Sequence, residues 1–121
     1  MSMLTKQHRL PKKEIDQVKN NGHHFHTPFF TVVYLSGRGT PSQFAFVLSK
    51  RVSKKATIRN RTKRLIAGAV RRLMAQLKSG YWVIFLVRRA ALDQDKEILA
   101  QAVKEAFGKI NLLKQNEKLG S

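Results

Sequence analysis

The separation of charge along this chain is the feature that most constrains how it can fold. All seven carboxylates lie outside residues 17–92, and that stretch carries fifteen lysine and arginine side chains. The 121 residues together have a formal net charge of +17. Because acidic partners are missing there, the Glu–Lys pairs that stabilise many surface helices cannot form. The basic side chains repel one another, and apolar burial must offset this repulsion. A stretch that carries charge of one sign only predicts a polyanionic partner, with nucleic acid as the first candidate.

Length and composition narrow the class of protein. A chain of 121 residues predicts a single domain, residues 1–121, and its 42% of hydrophobic residues suffice for a real core. The absence of cysteine excludes disulfides and thiolate metal sites and is typical of a reducing compartment. The longest apolar run, residues 81–87, is too short for a membrane span of ~20 residues, and the first residues lack the apolar stretch of a secretion signal. We therefore expect a cytoplasmic protein that does not enter a membrane.

Hydrophobic periodicity and turn formers predict six main elements. They are a helix over 12–21, strands over 29–35 and 43–49, a helix over 56–77, a strand over 81–87 and a last helix opened by Asp93. The turn-rich loop 36–42 predicts a long-looped hairpin of the first two strands. The run 81–87 does not alternate, which is typical of a central strand buried on both faces. We expect a compact α+β domain with helices packed on a small sheet, an extended basic lead-in over 1–11 and a flexible tail over 114–121.

The two long helices are each predicted to have distinct faces. One side of the basic helix consists of Ile58, Thr62, Leu65, Ile66, Ala69, Leu73 and Leu77. The opposite side consists of Asn60, Arg64, Ala67, Arg71 and Lys78. We expect Ala67 and Gly68 to lie on or beside this basic face, where small residues would let a backbone or a base approach closely. The last helix carries an apolar stripe formed by Ile98, Leu99, Ala102, Val103, Ala106, Phe107 and Ile110.

Catalytic groups are sparse in this sequence. The only carboxylate cluster, Asp93, Asp95 and Glu97, fits the acidic start of a helix better than a two-metal nuclease site. Glu14 and Asp16 point to different sides of their helix, and no nucleophile–base pair is suggested. We therefore expect no catalytic residue in the protein.

Histidines and aromatic residues are further site candidates in this sequence. His23, His24 and His26 have a spacing that could bind Zn²⁺ or Ni²⁺ weakly, but no fourth ligand is suggested. We expect them to be surface or RNA-facing side chains, with no metal bound by the protein. Trp82 and the strand phenylalanines are predicted to be core, and Phe29 alone is kept as a possible platform for a base.

Three short runs of residues carry a family resemblance. They are Ser49-Lys50-Arg51, Ala56-Thr57-Ile58 and the run Arg59-Asn60-Arg61-Thr62-Lys63-Arg64-Leu65-Ile66, preceded by Arg9-Leu10, an aromatic strand and the FAFVLSK strand. This pattern resembles the signature of the protein subunit of bacterial ribonuclease P, and it covers residues 4 to about 113. The resemblance implies an α-β-β-β-α-β-α fold with a mostly antiparallel sheet. It also implies a short extra strand at 23–26 and a left-handed crossover through the basic helix.

The resemblance also implies a function. In that family the RNA subunit is the ribozyme that removes the 5′ leader of precursor tRNA using Mg²⁺. The protein places its basic helix against that RNA and holds the single-stranded leader between its first helix and the sheet. We therefore expect two partners, ribonuclease P RNA and precursor tRNA, and one protein monomer per RNA. Mg²⁺ is expected to be bound mainly by the RNA, and the protein alone is expected to be inactive.

The resemblance assigns site residues by position. Those implied to contact the catalytic RNA are Lys50, Arg51, Lys54, Arg59, Asn60, Arg61, Lys63, Arg64 and Arg71. Those implied to line the leader cleft are Ile15, Lys19, Phe29, Thr31 and Val33. The chain departs from the family pattern in lacking aromatic residues at Ile15, Lys19 and Val33, a basic residue at Ala67 and a glycine at Ser53. Binding of the leader is therefore expected to depend on charge and shape more than on base stacking.

Two functions from other classes stay open at this point. A stand-alone RNA-binding or ribosome-associated module fits the composition equally well, and only the run from Arg59 to Ile66 argues against it. A protein nuclease would show Mg²⁺-dependent cleavage with no RNA subunit present. Stimulation of a ribozyme separates the first from a ribonuclease P subunit, and a protein-only reaction reveals the second.

Overall fold

The computed structural model describes residues 4–114. The helices are α1 (Lys12–Asn21), α2 (Ala56–Leu73) and α3 (Lys96–Lys109). The strands are β1 (His23–His26), β2 (Phe30–Leu35), β3 (Gln43–Val47) and β4 (Trp82–Val87). Short 3₁₀ turns occupy Lys6–His8, Met74–Gln76 and Arg89–Ala91. The predicted α+β fold is confirmed, and β1 takes the place of the short extra strand that the family resemblance implied.

The four strands form one mixed sheet in the order β1-β2-β4-β3. β2 pairs antiparallel with β1 and β4, whereas β3 pairs parallel with β4 after the crossover through α2. The predicted hairpin of β2 and β3 is therefore wrong. The physical reason is that β4 is apolar on both sides and takes a central place, where helices cover both of its faces.

The sheet face beneath α2 and α3 carries the main core. Phe30, Phe44 and Phe85 are buried there together with Phe107 of α3 and Ile66 of α2. The ring centroid of Phe85 lies 5.0 Å from that of Phe30 and 5.8 Å from that of Phe107, and both pairs have edge-to-face geometry. Aromatic pairs of this kind stabilise a core beyond the area they bury. This face therefore holds most of the packing that offsets the repulsion between the basic residues.

A smaller core lies on the opposite face, beneath α1. Val18 of α1 is buried against Val33 of β2 and Ile84 of β4. Gly22 ends the helix at the sheet, because a Cβ there would lie 2.6 Å from the Val18 carbonyl oxygen and 2.9 Å from that of Tyr34. Only glycine lets α1 approach β2 this closely without a shift of the backbone.

The ends of two helices differ from the sequence prediction. α2 ends at Leu73 and continues as a 3₁₀ turn, short of the predicted end at 77. α3 begins at Lys96 rather than at Asp93. Asp95 sets this start, because its Oδ1 accepts the Ile98 N–H at 3.0 Å and so caps the helix.

Three residues lie on other sides of their helices than predicted. Ile98 is 44% exposed, although the apolar stripe of α3 was expected to bury it. Ala67 and Gly68 are buried instead of lying on the basic face. The five consecutive residues 66–70 are all buried, and a Cβ added at Gly68 would lie 3.6 Å from Arg72 Nη1, so a long side chain of α2 itself contributes to covering this position.

Both ends of the described chain pack against neighbouring elements. Leu4 and Leu10 are buried, and the Leu10 N–H donates to the Phe44 carbonyl oxygen at 2.9 Å, so the lead-in covers part of the edge of β3. At the other end, the Lys114 N–H donates to the Gln76 carbonyl oxygen at 2.7 Å. The rest of the predicted tail, 115–121, and the first three residues lie outside the described part of the chain.

Candidate nucleic-acid interface

The basic loop, residues 48–55, and the α2 helix that follows it carry the predicted contacts to the catalytic RNA. Seven of these nine residues are exposed: Lys50, Arg51, Lys54, Asn60, Arg61, Arg64 and Arg71. Arg59 and Lys63 are half-buried. The structure thus brings the set to one loop and one helix, with two members turned toward the protein.

Two hydrogen bonds hold the basic loop against the body of the protein. Arg59 Nη1 donates to the Ser53 carbonyl oxygen at 2.8 Å and ties α2 to the loop. Arg89 Nη2 donates to the Arg51 carbonyl oxygen at 3.1 Å and ties the 3₁₀ turn after β4 to the same loop. Each guanidinium keeps other N–H groups that can reach phosphate oxygens. The loop is therefore held in place before any partner binds, which reduces the entropy lost on binding.

The α1 side of the sheet, which we call the cleft face, is only partly covered. Val33 is fully buried beneath α1, whereas Ile15, Val47 and Leu86 are half-buried and leave apolar surface accessible. Because strand side chains alternate, Thr31 shares this face with Val33. Of the predicted leader-cleft residues, Ile15, Thr31 and Val33 therefore lie on one face. Lys19 is exposed on α1.

A polar cluster closes one end of the cleft face, where β1, β2 and β4 meet. Arg88 Nη2 donates to Thr31 Oγ1 at 3.1 Å, and His26 Nδ1 lies 3.0 Å from the same oxygen. Arg88 Nη2 is also 3.4 Å from His26 Nδ1. Thr31 is buried, while Arg88 and His26 are exposed. The buried hydroxyl therefore fixes an exposed guanidinium whose remaining N–H groups can bind a phosphate.

Two aromatic side chains lie elsewhere than predicted. Phe29 packs against the main core and lines a depression beside Ala102 of α3, so the structure separates it from the other leader-cleft residues. Trp82, predicted to be core, is half-buried and packs against the small core on the cleft face. The Arg38 guanidinium lies 5.4 Å from its ring centre, a distance typical of a cation–π contact.

Sequence reasoning missed Arg88 and Trp82 as parts of the cleft face. The available signal was alternation, which puts Trp82, Ile84, Leu86 and Arg88 on one side of β4 and its extension. The sequence does not tell which side of a fully apolar strand faces which helix. The pairing of β4 with β2 decides this, because it sets Leu86 opposite Thr31.

Metal-ligating side chains are not grouped in the described part of the chain. Within residues 4–114, no three His, Cys, Asp or Glu side chains are placed so that they could hold a metal ion. The rings of His24 and His26 stack with centroids 6.1 Å apart, and Asp95 is engaged as a helix cap.

Membrane-spanning helices were also not found: within residues 4–114, no helix is long and apolar enough to cross a membrane.

Comparison with known proteins agrees with the fold and the motif. Residues 4–111 match the family model described as Ribonuclease P. The chain is 31% identical over 111 residues to the ribonuclease P protein component of Microcystis aeruginosa. The aligned residues cover 88% of this chain and 92% of that protein. The chain is 30% identical over 102 residues to the component of a Picosynechococcus species, with 84% and 88% covered.

Two solved structures share the fold at lower sequence identity. One is a Staphylococcus aureus RNase P protein mutant with defective mRNA degradation activity, with a TM-score of 0.80 and 18% identity over 89% of this chain and 92% of that one. The other is the RNase P protein from Thermotoga maritima, with a TM-score of 0.73 and 18% identity over 81% and 93%. At this level of identity the likeness concerns the fold.

Proposed function

Because this chain belongs to the ribonuclease P protein family, we propose that it is the RNA-binding subunit of a ribonuclease P that matures the 5′ ends of tRNA. In this proposal the catalytic RNA hydrolyses the phosphodiester between leader and tRNA, with Mg²⁺ held mainly by the RNA. One protein monomer binds one catalytic RNA through the basic loop and α2. The cleft face binds the leader of the precursor tRNA, and the reaction takes place in the cytoplasm.

The observation that carries this proposal is the fixed basic loop with its exposed cations. Arg59 and Arg89 hold the loop through the carbonyl oxygens of Ser53 and Arg51, at 2.8 and 3.1 Å. The exposed Asn60 adds a donor and an acceptor that can reach a base edge or a 2′-hydroxyl group. A positively charged, preformed surface of this kind suits the backbone of a folded RNA.

The cleft face supports the second part of the proposal. Single-stranded RNA is commonly held by apolar or aromatic surface under its bases and by cations along its backbone. Here Leu86, Val47 and Ile15 offer half-exposed apolar surface, and Arg88 lies at one end with its guanidinium fixed by Thr31. The exposed Lys19 adds a second positive charge from α1. This arrangement suits a short, extended stretch of single-stranded RNA.

The charge of the protein also supports a role for it in assembling two RNAs. Catalytic RNA and precursor tRNA are both polyanions and repel one another. A net charge of +17 on the protein replaces part of the counterion atmosphere that would otherwise be needed between them. We therefore expect the protein to lower the Mg²⁺ concentration at which the precursor is bound and cleaved.

Cleavage of a precursor tRNA by a bacterial ribonuclease P RNA at low Mg²⁺ tests the proposal. We expect cleavage at the 5′ end of the mature tRNA with both components present, and little with either alone. If the protein binds RNA but adds nothing to cleavage, a stand-alone RNA-binding module is the better explanation. Because one S. aureus structure is that of an RNase P protein mutant with defective mRNA degradation activity, the protein-only lane includes an mRNA, and cleavage there would favour a protein nuclease.

A charge variant tests the role of α2 in the same system. Arg64 is exposed on α2, so Arg64→Ala should weaken binding to the catalytic RNA and lower the salt slope of log K by about 1. Lys104→Ala on α3 is the matched control, because it removes one exposed charge on a different helix. Equal salt slopes for Arg64→Ala and the wild-type protein would contradict a phosphate contact at this position.

A further inference from the structure

Lys63 differs from the other basic residues of the motif, because it turns toward the edge of the sheet. It is half-buried and, with Arg9 of the lead-in, lines a depression of about 170 Å³. The remaining lining is apolar and consists of Leu4, Leu10, Phe44, Ala45 and Phe46. No carboxylate is among these described lining residues, so a half-buried lysine and an exposed arginine flank an apolar space with no opposite charge.

The backbone of β3 contributes polar groups at the same place. The Gln43 N–H donates inward to the Tyr81 carbonyl oxygen, whereas the Phe44 carbonyl oxygen accepts outward from Leu10. Because peptide groups alternate along a strand, the N–H and carbonyl of Phe46 also point outward. Among the described residues, the last backbone hydrogen bond from the lead-in to β3 is that of Leu10 to Phe44, and α1 starts two residues later, at Lys12. A donor and an acceptor at Phe46 therefore border the depression.

The ring of Phe46 provides the third element. It is half-buried and stacks on Phe85, with centroids 5.4 Å apart and planes at 21°. Phe46 is also one of the residues that line the depression. A flat aromatic ligand there would extend an existing stack.

From these groups we propose that the depression between Lys63, Arg9 and the edge of β3 binds one nucleotide that projects from the catalytic RNA. Its base lies against Phe46 and pairs with the outward peptide groups of that residue, and its phosphate lies between Lys63 and Arg9. A peptide strand could use the same edge, but it would not use the two cations, so the charge favours a nucleotide. This inference rests on the proposed function, because it takes the catalytic RNA as the partner.

Binding of the full-length protein to a bacterial ribonuclease P RNA tests the inference. Phe46→Leu keeps an apolar side chain and removes the ring, and we expect it to bind about tenfold more weakly with an unchanged salt slope. Lys63→Met should weaken binding and lower the salt slope by about 1. Phe25→Leu is the matched control, because Phe25 is also half-buried against the main core and does not line this depression. Thermal melting of each variant checks that it is folded.

Ultraviolet cross-linking gives a second readout, which reports the contact directly in the wild-type complex. Trypsin should release residues 39–50 as one peptide that contains Phe44 and Phe46. We expect a nucleotide adduct on this peptide in the wild-type complex and a weaker one with Lys63→Met.

The outcomes of these two experiments are distinct. Wild-type affinity for both folded variants, or adducts only on α2 peptides, would overturn the inference and leave the proposed function in place. Self-association that Phe46→Leu abolishes, with RNA binding unchanged, would assign the edge to a protein strand. Failure of the wild-type protein to bind the RNA would overturn both.

Discussion

The two faces of the sheet differ in how completely they are covered. On one face, α2 and α3 bury a continuous core in which Phe30, Phe85 and Phe107 are fully enclosed. On the other, α1 buries Val18, Val33 and Ile84 and leaves neighbouring apolar residues half-exposed. Both faces use the same strands, and β4 contributes alternate residues to each. Two helices therefore secure the fold on one face, while the single short helix on the other leaves apolar surface accessible.

The charge distribution sharpens this contrast. The polar cluster of His26, Thr31 and Arg88 lies at the uncovered end of the cleft face. The covered face instead contributes α2, whose outer residues carry the motif. In the proposed function, the cleft face binds the leader directly, and the covered face contributes by holding the basic helix α2 in place.

The largest expected effect on stability comes from a cavity in the core beneath α2 and α3. Phe85→Ala removes a fully buried ring that packs against those of Phe30, Phe46 and Phe107, and it should lower the free energy of unfolding by about 3–5 kcal/mol. Leu86→Ala, one residue further and half-buried on the cleft face, is the control and should cost about half of that or less. Denaturant unfolding measures both, and equal losses would contradict the difference between the faces.

An intermediate effect is expected where α1 meets β2. Gly22→Ala places a Cβ within 3 Å of two carbonyl oxygens, so α1 must shift away from the sheet. We expect a loss of about 1–3 kcal/mol in the free energy of unfolding and weaker binding of a single-stranded leader RNA. Gly39→Ala is the control, because a Cβ there has nothing within 4 Å. If Gly22→Ala leaves stability and leader binding as they are, α1 does not set the shape of the cleft face.

The smallest expected effect concerns the polar cluster of the cleft face. Thr31→Val keeps the shape of the side chain and removes the hydroxyl that fixes Arg88 at 3.1 Å. We expect leader affinity to fall by a factor of about 2–10, as for the loss of one hydrogen bond, with affinity for the catalytic RNA unchanged. Fluorescence anisotropy with a labelled leader oligonucleotide measures the first, and filter binding the second. A parallel loss in both would place Thr31 outside a leader-specific site.

The elements were predicted best where the local residue pattern strongly favours one type of structure. The apolar run 81–87 was predicted to be a central strand, and the structure confirms the central place of β4 in the sheet. The end of the first helix at residue 21 was also predicted, although two of the contacts that require Gly22 next, to the Tyr34 carbonyl oxygen and the Val33 side chain, come from β2 and were not visible in the sequence. The start of α3 was wrong by three residues because Asp93 and Asp95 are both good helix caps, and local geometry chose Asp95.

The sequence alone determined the elements, the cysteine-free basic composition and the surface of one sign, because these depend on residue type and local spacing. It also determined the exposure of most of the motif, since charged side chains on α2 have no place in a core. Only the tertiary structure decided that β4 separates β2 from β3, that Phe29 leaves the cleft face, and that Trp82 and Arg88 join it. These outcomes depend on which strand edges meet, and strand pairing joins residues far apart in the chain, such as Thr31 and Leu86. Local propensity carries no information about such pairs, so only the packed molecule defines the site.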